Sequence, residues 1–139
     1  MQSEVIISSD KAKLDIGYIH GYLSRESYWA GGRSISEVKK TIENSICFGV
    51  YTTGGRQIGF ARIITDYVVF AWLLDVFIDP AFRGHGYGFR LVRHILELES
   101  LQGVNGMGLR TQDAHGLYKK FGFGDIPNPD TWMYRKAIR

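Results

Sequence analysis

Three glycines alternate with other residues in Arg83-Gly84-His85-Gly86-Tyr87-Gly88, between an apolar run and a helical pattern. Alternating glycines let neighbouring backbone N–H groups converge, and a helix that begins there adds the positive end of its dipole. Such a loop can bind phosphate oxygens, although an ordinary strand-to-helix turn uses glycines too. The segment lacks the G-K-[ST] ending of a Walker loop. Phe89 stands where a dinucleotide-binding fingerprint requires its third glycine, so both of these nucleotide sites are excluded.

The composition is that of one globular domain, which we expect to span residues 1–139. Hydrophobic residues make up 45% of the chain and charged residues 22%, which is too few and too mixed for disorder. No apolar run approaches the roughly 18 to 20 residues of a membrane span, and the start MQSEVIISSD lacks the pattern of a signal peptide. We therefore expect a cytoplasmic protein with no membrane partner.

The charge pattern favours a small anionic ligand over nucleic acid. The net charge is only +3, and the basic residues are scattered and not interleaved with the aromatic residues as a stacking surface would require. Cys47 is the one cysteine, which excludes internal disulfides and a cysteine zinc cage. The four histidines are too dispersed for a metal site; they are His20, His85, His94 and His115.

Hydrophobic periodicity predicts the elements that position the glycine loop. Period-two and apolar runs predict strands over Glu4–Ser8, Ile46–Thr52, Gln57–Thr65, Val68–Ile78, Met107–Gln112 and Trp132–Lys136. Helical spacing predicts a helix capped by Ser9 and Asp10, a second from a Ser34–Glu37 capping box to near Asn44, a third from Tyr87 to before Gly103, and a fourth over His115–Phe121. This order indicates an α/β fold, a mixed and mostly antiparallel sheet with helices on both faces.

Two motifs resemble those of the GNAT superfamily of N-acetyltransferases. Arg83-x-x-Gly86-x-Gly88 after a strand is similar to the family's [QR]-x-x-G-x-[GA] motif. Leu117-Tyr118-Lys119-Lys120-Phe121-Gly122-Phe123 is similar to its late L-Y-x-x-x-G-F segment. The resemblance covers most of the chain and implies a single GNAT-like domain with acetyl-CoA as acyl donor.

The resemblance also implies which residues hold acetyl-CoA. The amides of Gly84 to Phe89 would bind its pyrophosphate, and the backbone of Phe77 and Ile78 would bind pantetheine and the acetyl carbonyl. The implied cofactor-binding residues are Phe77, Ile78, Arg83, Gly84, His85, Gly86, Tyr87, Gly88 and Phe89. One position departs from the family, since Thr111 stands where an Asn often contacts the cofactor.

Two residues are candidates for proton transfer. The resemblance implies that Tyr118 protonates the departing thiolate. A phenol with a reference pKa near 10 keeps its proton at pH 7, as this role requires. The alternative is that Tyr118 only packs on an apolar helix face. Asp75 interrupts an apolar strand, where a raised pKa would suit a base. Its alternatives are a structural ion pair with an arginine such as Arg62, and deprotonation of the amine by ordered water.

Tyr28, Trp29 and Arg33 lie where the family forms the wall of the acceptor site, between the first two helices. Arg33 there would suit a substrate carboxylate, although an exposed loop arginine often binds nothing specific.

From the resemblance we expect an acyltransferase that moves acetyl from acetyl-CoA to a primary amine of a small molecule or peptide by direct attack. We expect a monomer or homodimer. The alternative is a non-catalytic acyl-CoA-binding sensor or interaction module.

Overall fold

The computed structural model describes residues 4–137, which form one five-stranded sheet and four helices. The strands are β1 (Val5–Ser8), β2 (Ile46–Thr52), β3 (Gln57–Thr65), β4 (Phe70–Ile78) and β5 (Gly106–Gly108). The helices are α1 (Ile16–Arg25), α2 (Ile35–Glu43), α3 (Tyr87–Leu96) and α4 (His115–Lys119). The strands lie in the order β1-β2-β3-β4-β5, antiparallel except for the parallel pair β4–β5. The predicted mixed sheet is confirmed.

Each face of the sheet carries its own hydrophobic core. One core, beneath α1 and α2, consists mainly of Ile19, Tyr22, Leu23, Ala30, Val38, Ile42, Cys47, Phe60 and Phe77. The other, beneath α3 and α4, includes Phe48, Val50, Ile58, Ala61, Ile63, Ala71, Leu73, Ile78, Leu91, Val92, Ile95 and Tyr118. The near-continuous apolar character of β2, β3 and β4 follows from burial on both sides.

A β-bulge at Asp75 changes which way the end of β4 faces. Arg62 pairs with Leu74 and Phe60 with Phe77, so two residues of β4 oppose one of β3, and Asp75 has a φ of 53°. Before the bulge Leu73 packs in the α3 core; after it Phe77 packs in the α1 and α2 core. Without the inserted residue, strict alternation would place Leu73 and Phe77 on the same face.

The sheet opens between β4 and β5. The two strands pair only from Phe70 with Gly106 to Trp72 with Gly108, so within the described chain β4 continues to Ile78 without β5 beside it. The sequence predicts a longer β5, over Met107–Gln112. The prediction is wrong after Gly108, where the chain turns away and the Gln112 amide donates to the Tyr28 hydroxyl at 2.8 Å.

The predicted ends of α2 are confirmed, whereas α3 and α4 end earlier than predicted, at Leu96 and Lys119. The Ser34–Glu37 capping box is present, with the Glu37 amide donating to Ser34 Oγ and the Ser34 amide donating back to Glu37. The cap of α1 is a correction, because Asp10 caps only a short 3-10 turn. Asp15, whose carboxylate accepts from the Tyr18 amide at 3.0 Å, caps α1 itself.

The predicted closing strand over Trp132–Lys136 does not form. Residues 132–137 pair with no strand of the described chain, and Met133 is 97% exposed. Because β5 ends at Gly108, it provides little edge for another strand. Trp132 instead lies 6.2 Å from the Phe70 ring and donates from Nε1 to the Pro127 carbonyl at 3.3 Å.

We predict that Gly49→Ala destabilises the fold, because a methyl group there would collide with the buried ring and hydroxyl of Tyr51. The loss should be about 1 to 3 kcal/mol of unfolding free energy, as for overpacking of a filled core. Gly103→Ala is the matched control, since its methyl group would meet nothing within 4 Å. Urea unfolding measures both variants, and equal losses would contradict the collision.

Candidate active site

The loop between β4 and α3 has the positive-φ backbone conformation that is typical of anion-binding loops. Gly84 and Gly86 have φ values of 87° and 77°, a region that other residues adopt only with strain. A methyl group at either position would meet no atom within 4 Å, so the surrounding space is open. Gly86 is the N-cap of α3 and provides no side-chain hydrogen bond to the first-turn amides. The loop therefore fits a phosphate group.

Helix α1 is fastened to this loop by two tyrosine hydroxyls. Tyr18 Oη donates to Asp79 Oδ2 at 2.9 Å, and Arg83 Nη2 donates to Tyr22 Oη at 2.7 Å. Arg83 also donates from Nε to the Ile78 carbonyl at 3.1 Å, so its guanidinium closes the loop onto the end of β4. Burial and the neighbouring Asp79 carboxylate raise the pKa of Tyr18. The two hydroxyls therefore remain protonated at neutral pH.

Sequence reasoning missed this role of Tyr18 and Tyr22. Their spacing of four residues indicates an apolar stripe, and Tyr22 does stack on Phe77 with ring centroids 3.7 Å apart. The tyrosine hydroxyls were the available signal, since buried Tyr oxygens need polar partners. Two such hydroxyls on one helix face predict polar partners on the element packed against that face, which in the structure are Asp79 and Arg83.

Asp75 lies at the centre of a buried charge cluster on the α1 and α2 side of the sheet. Its Oδ2 accepts from Arg62 Nε and from Arg33 Nη1, both at 2.7 Å. Its Oδ1 accepts from Trp29 Nε1, also at 2.7 Å. Arg62 in turn donates from Nη1 to Ser45 Oγ at 3.0 Å. Both carboxylate oxygens of Asp75 are therefore committed within the protein.

The expected raised pKa of Asp75 is wrong. Burial by itself raises the pKa, but the hydrogen bonds and charges of Arg33 and Arg62 outweigh it and hold the pKa below its ordinary value. The structural alternative, an ion pair with Arg62, is present. A carboxylate with a lowered pKa and no free oxygen is a poor proton acceptor, so the geometry disfavours Asp75 as a base.

The predicted acceptor wall lies beside this cluster. Trp29 and Arg33 both bind Asp75, and the Tyr28 ring packs edge-on against Trp29 with centroids 5.0 Å apart. The Tyr28 hydroxyl accepts from the Gln112 amide, which links the wall to the segment that precedes α4. The structure thus brings Tyr28, Trp29 and Arg33 together with Asp75.

Tyr118 is buried on α4, near Tyr28. Burial raises the pKa of Tyr118 to about 12, with smaller contributions from Tyr28 and from the Asp113 carboxylate. Its ring packs edge-on against Phe123 with centroids 5.9 Å apart, so the packing alternative also holds for the ring. The Tyr118 hydroxyl has no hydrogen bond to any residue in 4–137. It is therefore available to a ligand.

The other predicted cofactor residues lie at the end of the glycine loop and the start of α3, where their side chains differ in burial. The Tyr87 side chain is buried, whereas His85 is exposed with its ring 5.5 Å from that of Tyr87. Phe89 packs against Phe121 with centroids 4.6 Å apart, and a methyl group on Gly88 would touch Ile78 and Leu117 at ordinary distances. These contacts join α3, α4 and the end of β4 around the opening in the sheet.

Thr111 has a local structural contact. Its hydroxyl accepts from the Ala114 amide at 3.0 Å, just before α4.

Residues 4–137 contain no group of three or more His, Cys, Asp or Glu side chains arranged for a metal ion. No helix in that range has the length and apolar character to cross a bilayer.

Comparison with known proteins gives consistent matches. The family model of the acetyltransferase (GNAT) domain matches residues 43–124. A candidate acetyltransferase of Gibberella zeae is 33% identical over 146 aligned positions, which cover 89% of this chain and 81% of that protein. A solved Xanthomonas campestris structure, described as a candidate GNAT-family acetyltransferase, is 41% identical with a TM-score of 0.94, covering 99% of this chain and 96% of that one. A Staphylococcus aureus structure at 23% identity and TM-score 0.72, covering 96% and 100%, shares the fold.

We predict that Asp75→Asn lowers stability at neutral pH by about 3 kcal/mol or more, since it leaves the buried Arg62 without its counter-charge. The difference from wild type should shrink in acid. Because the folded pKa of Asp75 lies below its unfolded value of about 3.9, its stabilisation is complete well above pH 4 and is lost as the pH falls through the folded pKa. Urea unfolding at pH 7 and about pH 2.5 measures the change.

The control for this pH series is Asp125→Asn, at an exposed aspartate. It should change stability little at either pH. A difference between wild type and Asp75→Asn that stays constant from pH 7 to about pH 2.5 would contradict the ionised state assigned to Asp75.

Proposed function

Because the chain belongs to the GNAT acetyltransferase family, we propose that it moves an acetyl group from acetyl-CoA to a primary amine of a small molecule or peptide by direct attack. The observation that carries the proposal is one continuous opening in the fold. The end of β4 pairs with β3 on one edge and has no strand beside its other edge within residues 4–137, and it leads directly into a glycine loop whose amides begin α3. An extended ligand with a phosphate group fits that arrangement.

The residues present fit acetyl-CoA. The amides from Gly84 to Phe89 would bind the pyrophosphate, since Gly84 and Gly86 have the required backbone and open space above them. The edge of β4 that faces away from β3 has no strand beside it at Phe77 and Ile78 within residues 4–137, and it would hold the pantetheine arm by backbone hydrogen bonds, as a strand holds an added strand. Arg83, which is bonded to Tyr22 and Ile78, would keep the loop in the binding shape.

When bound, acetyl-CoA would supply a thioester carbonyl that is activated for attack by an amine. Tyr118 would donate a hydrogen bond toward the sulfur and pass its proton there as the carbon–sulfur bond breaks. A pKa of about 12 keeps the Tyr118 phenol protonated at neutral pH, which a proton donor requires. The attacking amine would lose its proton to water, and Asp75 would hold Trp29 and Arg33 in place.

The alternative function is a non-catalytic acyl-CoA-binding module. It is favoured by one observation, the commitment of both Asp75 oxygens to protein donors, which removes the strand carboxylate as a base. Release of free CoA thiol on incubation of the protein with acetyl-CoA and a panel of primary amines distinguishes the two. Amine-dependent release supports the transferase, whereas acetyl-CoA binding without release supports the module.

We predict that Gly86→Glu weakens acetyl-CoA binding at least tenfold, because it places a negative charge at the N-terminus of α3. Isothermal titration calorimetry measures the affinity. Gly86→Ala separates the cost of a side chain at a φ of 77° from the effect of charge. Gly103→Glu, after α3, is the charge control and should bind like wild type. Undiminished binding by Gly86→Glu would contradict the phosphate cradle.

We predict that Tyr118→Phe lowers kcat by about 100-fold, the usual scale of a lost general acid, while leaving the Kd for acetyl-CoA within about twofold of wild type. Steady-state thiol release with the best amine of the panel measures kcat, and calorimetry measures Kd. The control is Tyr134→Phe, at a tyrosine that is 84% exposed, which should leave both values unchanged. An unchanged kcat in Tyr118→Phe would reject Tyr118 as the general acid.

A further inference from the structure

The charge cluster at Asp75 contains more positive than negative charge. Two guanidinium groups, Arg33 and Arg62, share a single carboxylate, and Trp29 adds a neutral donor. Both oxygens of Asp75 are already occupied. The cluster therefore keeps one formal positive charge that no acidic side chain among residues 4–137 neutralises by an ion pair.

Arg33 is the more exposed guanidinium of the cluster. The side chains of Asp75 and Arg62 are only 1% and 7% exposed, whereas that of Arg33 is 26% exposed. Within the described residues, the side-chain hydrogen bond of Arg33 is made by Nη1, so Nη2 and Nε have no bonded partner there. Arg33 thus offers donors to a ligand at the mouth of the cluster.

Arg33 is also held in place before any ligand arrives. Asp75 fixes its guanidinium at 2.7 Å, and its carbonyl oxygen lies 3.0 Å from His20 Nε2. Its amide donates to the Ala30 carbonyl at 3.4 Å, and Ser27 Oγ accepts from the Ala30 amide in the same loop. An arginine fixed this way loses little conformational entropy on binding and can form paired hydrogen bonds to an anion.

An acidic residue lies on the segment that meets the predicted acceptor wall. Asp113 is exposed and directly follows Gln112, whose amide donates to the Tyr28 hydroxyl at 2.8 Å. Tyr28 packs edge-on against Trp29, which donates to Asp75. The wall thus links acidic Asp113 to basic Arg33, which suits a ligand that carries both an amine and an anionic group.

We propose that Arg33 binds an anionic oxygen group of the acceptor, so that the acceptor is an amine bearing a carboxylate or a phosphate. This inference rests on the proposed acetyl transfer and names the substrate class of that site. Asp75 is a positioning residue in it, since it aims Arg33 without touching the acceptor. The Nη2 and Nε donors of Arg33 determine the specificity for the anionic group of the acceptor.

The test compares pairs of acceptors in which one member carries an anionic group and the other does not, with kcat/KM expressed per neutral amine. Alanine against alaninamide and phenylalanine against phenylalaninamide probe a carboxylate, and phosphoethanolamine against ethanolamine probes a phosphate. Wild type should show at least a tenfold higher kcat/KM for the anionic member of one pair. Arg33→Met should lower that value by about 10- to 100-fold, mainly through KM, as expected for a lost charge-assisted hydrogen bond. The neutral members should be affected less than threefold.

Two variants and a binding measurement isolate the role of Arg33. Arg25→Met, at an exposed arginine of α1, should behave like wild type, and Arg33→Lys should restore part of the preference. Independently of turnover, the NMR signal of Arg33 Nε–H, assigned by its loss in Arg33→Lys, should shift on titration with the preferred anionic probe in the presence of CoA.

The outcomes separate this inference from the proposed function. Amine acetylation with no anionic preference, or an equal loss for both members of a pair in Arg33→Met, overturns the role of Arg33 and leaves acetyl transfer standing. If no amine is acetylated and no probe shifts the Nε–H signal although acetyl-CoA binds, the transferase and this inference fall together.

Discussion

The carboxylate of Asp75 sets the arrangement of the site, because a charge with 1% exposure is tolerated in a protein only when it is fully paired. The pairing brings together three parts of the chain, β3 through Arg62, the α1–α2 loop through Trp29 and Arg33, and β4 itself. Removal of the carboxylate would leave Arg62 buried without a counter-ion. The ionised cluster is thus a constraint that the fold must satisfy, and the proposed acceptor wall is built on it.

The bulge makes this pairing compatible with a packed sheet. Asp75 takes the extra position, and the residues after it exchange faces, so that Phe77 reaches Tyr22 on α1. The same strand then ends in the loop that Tyr22 and Tyr18 help to hold through Arg83 and Asp79. One strand therefore contributes to both parts of the candidate site, the proposed acceptor wall at its middle and the glycine loop at its end.

Most of the fold was predictable because its signals are local. The bounds of β2 and β3 and the Ser34 capping box follow from strand patterning and helix-cap chemistry, which depend on neighbouring residues. Two of the failures involve distant residues. Gln112, which was predicted to end β5, instead donates to Tyr28, 84 positions away, and the pKa of Asp75 depends on Arg33 and Arg62 on other elements. The glycine loop was recognisable from spacing, whereas the tyrosines that fasten it needed the packing of α1.

Helix α1 contains Gly17 and Gly21, each of which weakens a helix interior by up to about 1 kcal/mol relative to alanine. It packs in the core through Ile19 and Leu23, and it is joined to the glycine loop by the bonds to Asp79 and Arg83. A movement of the loop away from α1 would break both bonds. A ligand that binds only the closed loop would therefore also stabilise α1 through them.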